Sequence, residues 1–134
     1  MTFFRVDPKY RMDVVECVSD ELPFLQRRVR GLIALINPLL PELAEMGYDL
    51  YINRDASELG LPVSLVNILK NEDQDTQLIV LVHGPILITR HCGSRIIGLN
   101  DDDIEFLSDY FSELPIASGF EPIEGCPVRT AGLA

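Results

Sequence analysis

The stretch QLIVLVHGPILITRHCGSRIIGL, residues 77–99, decides the fold that the sequence predicts. Its three apolar runs are separated by Gly84-Pro85 and Gly93-Ser94, and two-residue turns that begin with Gly suit type II′ hairpins. We therefore predict a three-stranded antiparallel meander over 77–99. Apolar residues occupy both faces of this meander, so each face needs a cover from the chain's own helices, a second copy or a partner.

Both histidines of the chain lie in this stretch, and their spacing decides between a chemical site and a plain hairpin. With a two-residue turn at Gly84-Pro85, His83 and His91 point to opposite sides of the sheet. With a three-residue turn they share a face but lie roughly 13 Å apart along the strand. A zinc–nitrogen bond is about 2 Å and a contact between nucleophile and base about 3 Å, so neither register forms a site within the hairpin.

Helical patterns lie on both sides of the meander. Apolar residues recur at alternating steps of four and three over 19–46, which predicts helix, and Pro38 divides it into a bent pair because proline lacks a backbone N–H. The same spacing predicts a C-terminal helix over 101–114. Alternation in 48–54 predicts a strand with one solvent-facing side, and 62–71 has the pattern of a short helix.

Together these elements predict a single α+β domain over residues 1–114. Its architecture is an antiparallel sheet of about four strands, packed with the bent N-terminal helical pair and the C-terminal helix. Residues 115–134 contain three prolines and three glycines without a period, which predicts a Pro/Gly-rich tail. The two apolar sheet faces, together with the apolar stripe between Leu25 and Leu43, also predict a homodimer.

The net charge of −10 is unevenly distributed along the chain. Residues 1–47 carry six basic and seven acidic side chains, whereas residues 48–134 carry five basic and fourteen acidic ones. This bias repels nucleic acid and anionic membranes and favours a protein partner with a basic surface. No apolar run approaches the ~20 residues of a membrane span. Three cysteines without a C-x-x-C pair, and an N-terminus without an apolar signal segment, predict a reducing, cytoplasmic location.

Acidic side chains in the linker 71–76 and on the C-terminal helix are the candidate partner-binding residues. They are Glu72, Asp73, Asp75, Asp101, Asp102, Asp103, Glu105 and Asp109. The alternative for the first three helical aspartates is a structural one, because Asn100 suits the N-cap and carboxylates in a first turn complement the helix dipole. Plain solvated charge is the alternative for the others. The EF-hand spacing is absent, so no metal is expected.

Two further groups of side chains have candidate roles. Arg27, Arg28 and Arg30 lie near the start of a predicted helix, where they are either solvated charges or contacts to carboxylates. The second group is an alternative pocket for an anionic ligand, with a histidine as the acid–base residue and arginines holding the anion. Its members are His83, Arg90, His91 and Arg95.

No glycine-rich phosphate loop, nucleophile elbow or zinc-protease motif occurs in the sequence, so no cofactor is expected and no motif argues for an enzyme. The leading hypothesis is a small protein-binding module of bacterial or phage type, such as an inhibitor, an immunity or antitoxin-like protein, or a chaperone. One alternative is a small enzyme or ligand-binding domain that uses the Arg/His pocket. Another is a structural subunit of a phage or secretion assembly.

Overall fold

A computed structural model of the chain describes residues 1–7, 11–17, 22–35, 41–70, 77–113 and 128–130. In chain order the elements are β1 (Thr2–Asp7), β2 (Arg11–Glu16), α1 (Leu22–Val29), β3 (Ile33–Leu35), α2 (Pro41–Glu45), β4 (Tyr48–Asn53), β5 (Val63–Lys70), β6 (Gln77–His83), β7 (Ile86–Cys92), β8 (Arg95–Ile97), α3 (Asp101–Ser112) and β9 (Val128–Thr130). The predicted α+β class, with an antiparallel sheet, is confirmed.

The strands of the described residues form two sheets. The larger has six strands, not the four predicted, in the order β2-β1-β7-β4-β3, with β8 paired to the far end of β7. All of its pairs are antiparallel, and Ile88 of β7 lies between Phe4 of β1 and Leu50 of β4. The smaller sheet has the order β5-β6-β9, and β9 runs parallel to β6. β7 is therefore the central strand of the larger sheet.

Helices of the same chain cover both faces of the larger sheet. Ile86 and Ile88 point into a core cluster that contains Leu107 and Phe111 of α3. Leu87, between them in β7, points to the opposite side, where it packs with residues of α1 such as Leu25 and Val29. Both apolar faces of β7 are thus buried, one against α3 and the other against α1. The faces of β7 therefore need no second copy of the chain as a cover.

The predicted meander over 77–99 forms only in its second half. β7 and β8 make the expected hairpin, but β6 pairs with β5 and β9, and β7 pairs with β1 and β4. At Gly84-Pro85 the chain instead crosses from the smaller sheet to the larger one. Gly84 has a φ of +74°, and a Cβ there would lie 2.9 Å from Leu61. β6 pairs along its length with β5, and β7 gains a partner on each side in β1 and β4; a local turn signal does not reveal these distant strands.

The predicted helical pair over 19–46 is replaced by two short helices with a strand between them. α1 ends at Val29, because Arg30 adopts a left-handed φ of +65° and the Gly31 amide bonds the Gln26 carbonyl. Residues 33–35 then form β3 against the edge of β4. The predicted bend at Pro38 lies outside the described residues. The predicted helix over 62–71 is instead strand β5, whose β-branched residues suit the pairing with β6.

The C-terminal part of the chain follows the prediction more closely. α3 over Asp101–Ser112 confirms the helix predicted for 101–114. Within the predicted tail, 115–134, the structure describes only β9, which pairs with β6. None of the described helices is long and apolar enough to cross a membrane.

Candidate functional site

The helix α3 begins with a capping box that fixes its first turn. The Asn100 side chain accepts a hydrogen bond from the Asp103 amide at 2.9 Å, and the Asp103 carboxylate accepts one from the Asn100 amide at 3.0 Å. Two otherwise unpaired N–H groups are satisfied in this way. Asp103, Leu107 and Phe111 form the buried side of the helix. The opposite side is therefore held toward solvent.

That opposite side carries five exposed carboxylates, which we name the acidic face. Four of them follow one another at steps of four residues, and the fifth lies beside the first; the members are Asp101, Asp102, Glu105, Asp109 and Glu113. Residues four apart are neighbours on a helix surface. Within the described part of the chain, none of the five forms an ion pair. The acidic face is thus a row of negative charge without a counter-charge.

This row is electrostatically unfavourable for the helix itself. Like charges four residues apart destabilise a helix, and Asp109 and Glu113 lie at the end where the helix dipole already concentrates negative charge. α3 has no basic residue in its last turn to offset them. A cationic surface placed on the acidic face would relieve both effects. The charge pattern predicts Asp101, Asp102, Glu105 and Asp109; Glu113 was missed, although its position four residues after Asp109 is a signal that would have found it.

Asp103 differs from the other predicted carboxylates because it is only 5% exposed. It accepts hydrogen bonds from the Tyr48 hydroxyl at 2.6 Å and from the Arg90 guanidinium at 2.7 Å. Burial disfavours the carboxylate anion, but these bonds, the Asn100 amide and the charge of Arg90 outweigh it, and the pKa of Asp103 is lowered. Burial and the Asp103 carboxylate raise the pKa of Tyr48 to about 12. Asp103 therefore fastens α3 to the sheet and is not part of the exposed acidic face.

A row of aromatic rings borders the acidic face. The Tyr48 ring stacks on Phe106 with centroids 6.0 Å apart, and Phe106 lies 6.1 Å from Tyr110. We name Phe106 and Tyr110, both half-buried, the aromatic strip. Burial raises the pKa of the Tyr110 hydroxyl, and the charge of Glu42 in α2 raises it further. The charge of Glu42 thus acts on Tyr110 in addition to the neighbouring carboxylates of α3.

The four residues of the predicted anion pocket lie in different environments. Arg90 extends toward α3 and holds Asp103, whereas His91, next to it in β7, points to the other face of the sheet. His83 ends β6 in the smaller sheet, where its Nδ1 donates to the Leu61 carbonyl at 2.7 Å. Arg95 is exposed in β8, opposite Cys92. In this arrangement no single anion site unites the two histidines with the two arginines.

His91 instead pairs with a carboxylate that the sequence analysis did not single out. Its Nδ1 donates to Oδ2 of Asp49 in β4 at 2.9 Å, and Asp49 is buried while His91 is exposed. Thr89, directly opposite Asp49, is also buried. A carboxylate that orients a histidine ring through Nδ1 is a common arrangement for proton transfer. The alternation in 48–54 predicts that Asp49 faces solvent, so its burial and its contact with His91 were not predicted.

The three arginines of the N-terminal region do not contact carboxylates within the described residues. Arg28 donates to the Glu16 carbonyl oxygen, and the guanidinium of Arg27 lies 5.4 Å from the centre of the Phe24 ring. Arg30 is exposed at the end of α1. Of the predicted partner-binding residues, Glu72, Asp73 and Asp75 lie outside the described residues.

In the part of the chain that the structure describes, no three His, Cys, Asp or Glu side chains come together in a group that would hold a metal ion. No family model, curated protein or solved structure matches the chain.

Proposed function

We propose that the protein is a binding module that engages a basic protein partner through the acidic face of α3. The observation that carries this proposal is the row of exposed carboxylates, which have no counter-charge among the described residues, in a chain whose net charge is −10. A helix that carries unfavourable charge on one side gains stability when a cationic surface neutralises it. A role in binding would therefore explain why the helix carries these charges.

The way α3 is held supports this role. The helix is fixed on the sheet by the contacts of Asp103 with Tyr48 and Arg90 and by the buried side chains of Leu107 and Phe111. Its capping box fixes the first turn. A rigid charged surface loses little conformational entropy on binding. Long-range attraction would speed association, and a few well-packed contacts would supply most of the affinity. Inhibitors, immunity or antitoxin-like proteins and chaperones of bacteria and phages are the classes we propose.

A cytoplasmic location is part of the proposal. Among the described residues Cys17 and Cys92 are free thiols, one buried and one exposed, which suits a reducing compartment. The homodimer stays a prediction without a mapped interface. Light scattering at micromolar concentration tests it, and a monomer of 15.0 kDa would contradict it.

Affinity capture with matched charge variants tests the acidic face. The protein is immobilised and exposed to a lysate of the source organism, and bound proteins are eluted with rising salt and identified. We expect a basic protein to be retained and to elute at moderate salt, because screening weakens a charged interface. Glu105→Gln/Glu113→Gln should reduce its retention. The double variant Glu16→Gln/Glu58→Gln also removes two negative charges, but from exposed positions outside α3. It should retain the basic partner fully.

Two results would overturn the proposal. One is retention of the same partner, in the same amount, by the α3 variant. The other is an interaction whose elution does not depend on salt, which would point to the third hypothesis, a structural subunit of a larger assembly.

The second candidate function is a small enzyme or ligand-binding domain, and the Asp49–His91 pair favours it. The carboxylate would orient the ring, leaving the exposed edge of His91 to exchange a proton with a ligand. A screen of small metabolites by thermal unfolding tests this function. A ligand that raises the melting temperature of the native protein and of Arg95→Ala, but not of His91→Ala, would support it. Equal effects on all three proteins would contradict it.

A further inference from the structure

The aromatic strip lies against the acidic face with a defined spacing. Phe106 follows Asp102 by four residues and precedes Asp109 by three, and Tyr110 precedes Glu113 by three. Residues three and four apart share a side of a helix, so each ring has carboxylates as neighbours. Glu42 of α2 adds a further negative charge that acts on Tyr110. Both half-buried rings thus lie beside exposed carboxylates of α3.

The protein already holds one guanidinium in this way at the inner end of the same row of rings. The guanidinium of Arg90 lies 5.4 Å from the centre of the Tyr48 ring, and its Nη1 donates to Asp103 at 2.7 Å. The Tyr48 ring stacks on Phe106, with an angle of 10° between the planes. A ring face and a carboxylate together thus hold a partly exposed arginine side chain of the protein itself. The aromatic strip and the acidic face repeat that pair of groups at the surface.

Arginine suits this combination better than lysine does. Its guanidinium is planar and weakly hydrated, so it stacks on an aromatic ring while its N–H groups bond a carboxylate. The lysine ammonium is compact and strongly hydrated, and it gains mainly from the negative charge. We propose that the aromatic strip makes the acidic face selective for arginine, so that its occupant is an arginine-rich segment of a partner protein. This proposal rests on the proposed function and names the partner chemistry.

Two peptides, deca-arginine and deca-lysine, test the selectivity because they carry the same charge. Each is labelled, and its binding to the full-length protein is measured by fluorescence anisotropy at low salt. We expect deca-arginine to bind more tightly by about two- to fivefold for each arginine that contacts a ring, the effect of an exposed cation–π contact. Phe106→Leu keeps an apolar side chain at this position but removes the ring, and it should bring the two affinities close together.

Phe24→Leu is the matched control. Phe24 is also half-buried and also lies near an arginine, but it belongs to α1, on the other side of the sheet. This variant should keep the preference for arginine, as should Tyr110→Phe, which retains the ring. Circular dichroism checks that each variant is folded, and Tyr110→Leu replaces Phe106→Leu if the latter unfolds.

The outcomes separate this inference from the proposed function. Equal binding of the two peptides to the native protein, or a preference for arginine that survives in both ring-removing variants, overturns the selectivity but leaves the acidic face intact. Binding of neither peptide overturns both proposals. A preference for arginine that Phe106→Leu or Tyr110→Leu abolishes, and that Phe24→Leu keeps, supports the aromatic strip as the arginine contact.

Discussion

Removal of the Asp103 carboxylate should destabilise the protein far more than removal of any carboxylate of the acidic face. Asp103→Ala leaves the Tyr48 hydroxyl, whose residue is 2% exposed, without its acceptor, and a buried unsatisfied polar group costs about 1–3 kcal/mol. The lost half of the capping box costs about 1 kcal/mol more. The ion pair with Arg90 adds little, because the Arg90 side chain is 37% exposed and solvent screens it. We expect a total of about 3 kcal/mol.

Urea denaturation followed by circular dichroism measures this difference. Asp109→Ala, on the exposed side of the same helix, is the control and should leave the free energy of unfolding unchanged or slightly raised. Tyr48→Phe alone should cost about 1 kcal/mol, and the double variant should cost less than the two single ones together, because both remove the same hydrogen bond. A loss below about 1 kcal/mol for Asp103→Ala, or strict additivity with Tyr48→Phe, would refute the role given to this contact.

Three further predictions concern pH, charge and packing. Because the pKa of Asp103 is lowered in the fold, its stabilisation is present above its ordinary pKa of 3.8 and is lost as pH falls through the lower folded value. The pKa of Tyr48 is raised from 10.0 to about 12, so its stabilisation is present below pH 10 and is lost as pH rises toward 12; Tyr48→Phe should remove this alkaline loss in denaturation curves. Asp109→Asn should raise the free energy of unfolding at low salt, and this gain should shrink in high salt, whereas a gain that ignores salt would contradict self-repulsion on α3. Leu107→Ala and Leu87→Ala should each cost about 2–5 kcal/mol in urea denaturation, and a negligible cost for Leu87 would contradict the cover that α1 provides.

Elements with local signals were predictable from the sequence. α3 has an N-cap residue, three aspartates in its first turn and apolar residues at helical spacing, and its observed start at Asp101 follows from these signals alone. The two apolar faces of β7 were also visible in the sequence. Elements whose structure depends on a distant partner were not predictable. Residues 33–35 and 63–70 are apolar runs that fit helix or strand, and pairing with β4 and β6 decides for strand.

The residues of the candidate site also differ in whether the sequence predicts their role. The exposed carboxylates of α3 follow from its composition and period. The inward role of Asp103 depends on Tyr48, fifty-five positions earlier in the chain, and that of Asp49 depends on His91, forty-two positions later. Sequence spacing carries no signal for such contacts, because they arise from the order of the strands. For the same reason, Arg90 and His91 are neighbours in sequence yet serve opposite faces of the sheet.

Amide chemical-shift mapping with deca-arginine shows whether α3 presents the binding surface. The protein is labelled with nitrogen-15, and the shift of each assigned amide is followed as the peptide is added. We expect the largest chemical-shift changes within 101–113, and we expect these changes to become smaller as salt is raised. Exposed acidic residues elsewhere, such as Asp13 and Glu58, should change little. Chemical-shift changes centred on those residues, or no change along α3, would contradict binding at the acidic face.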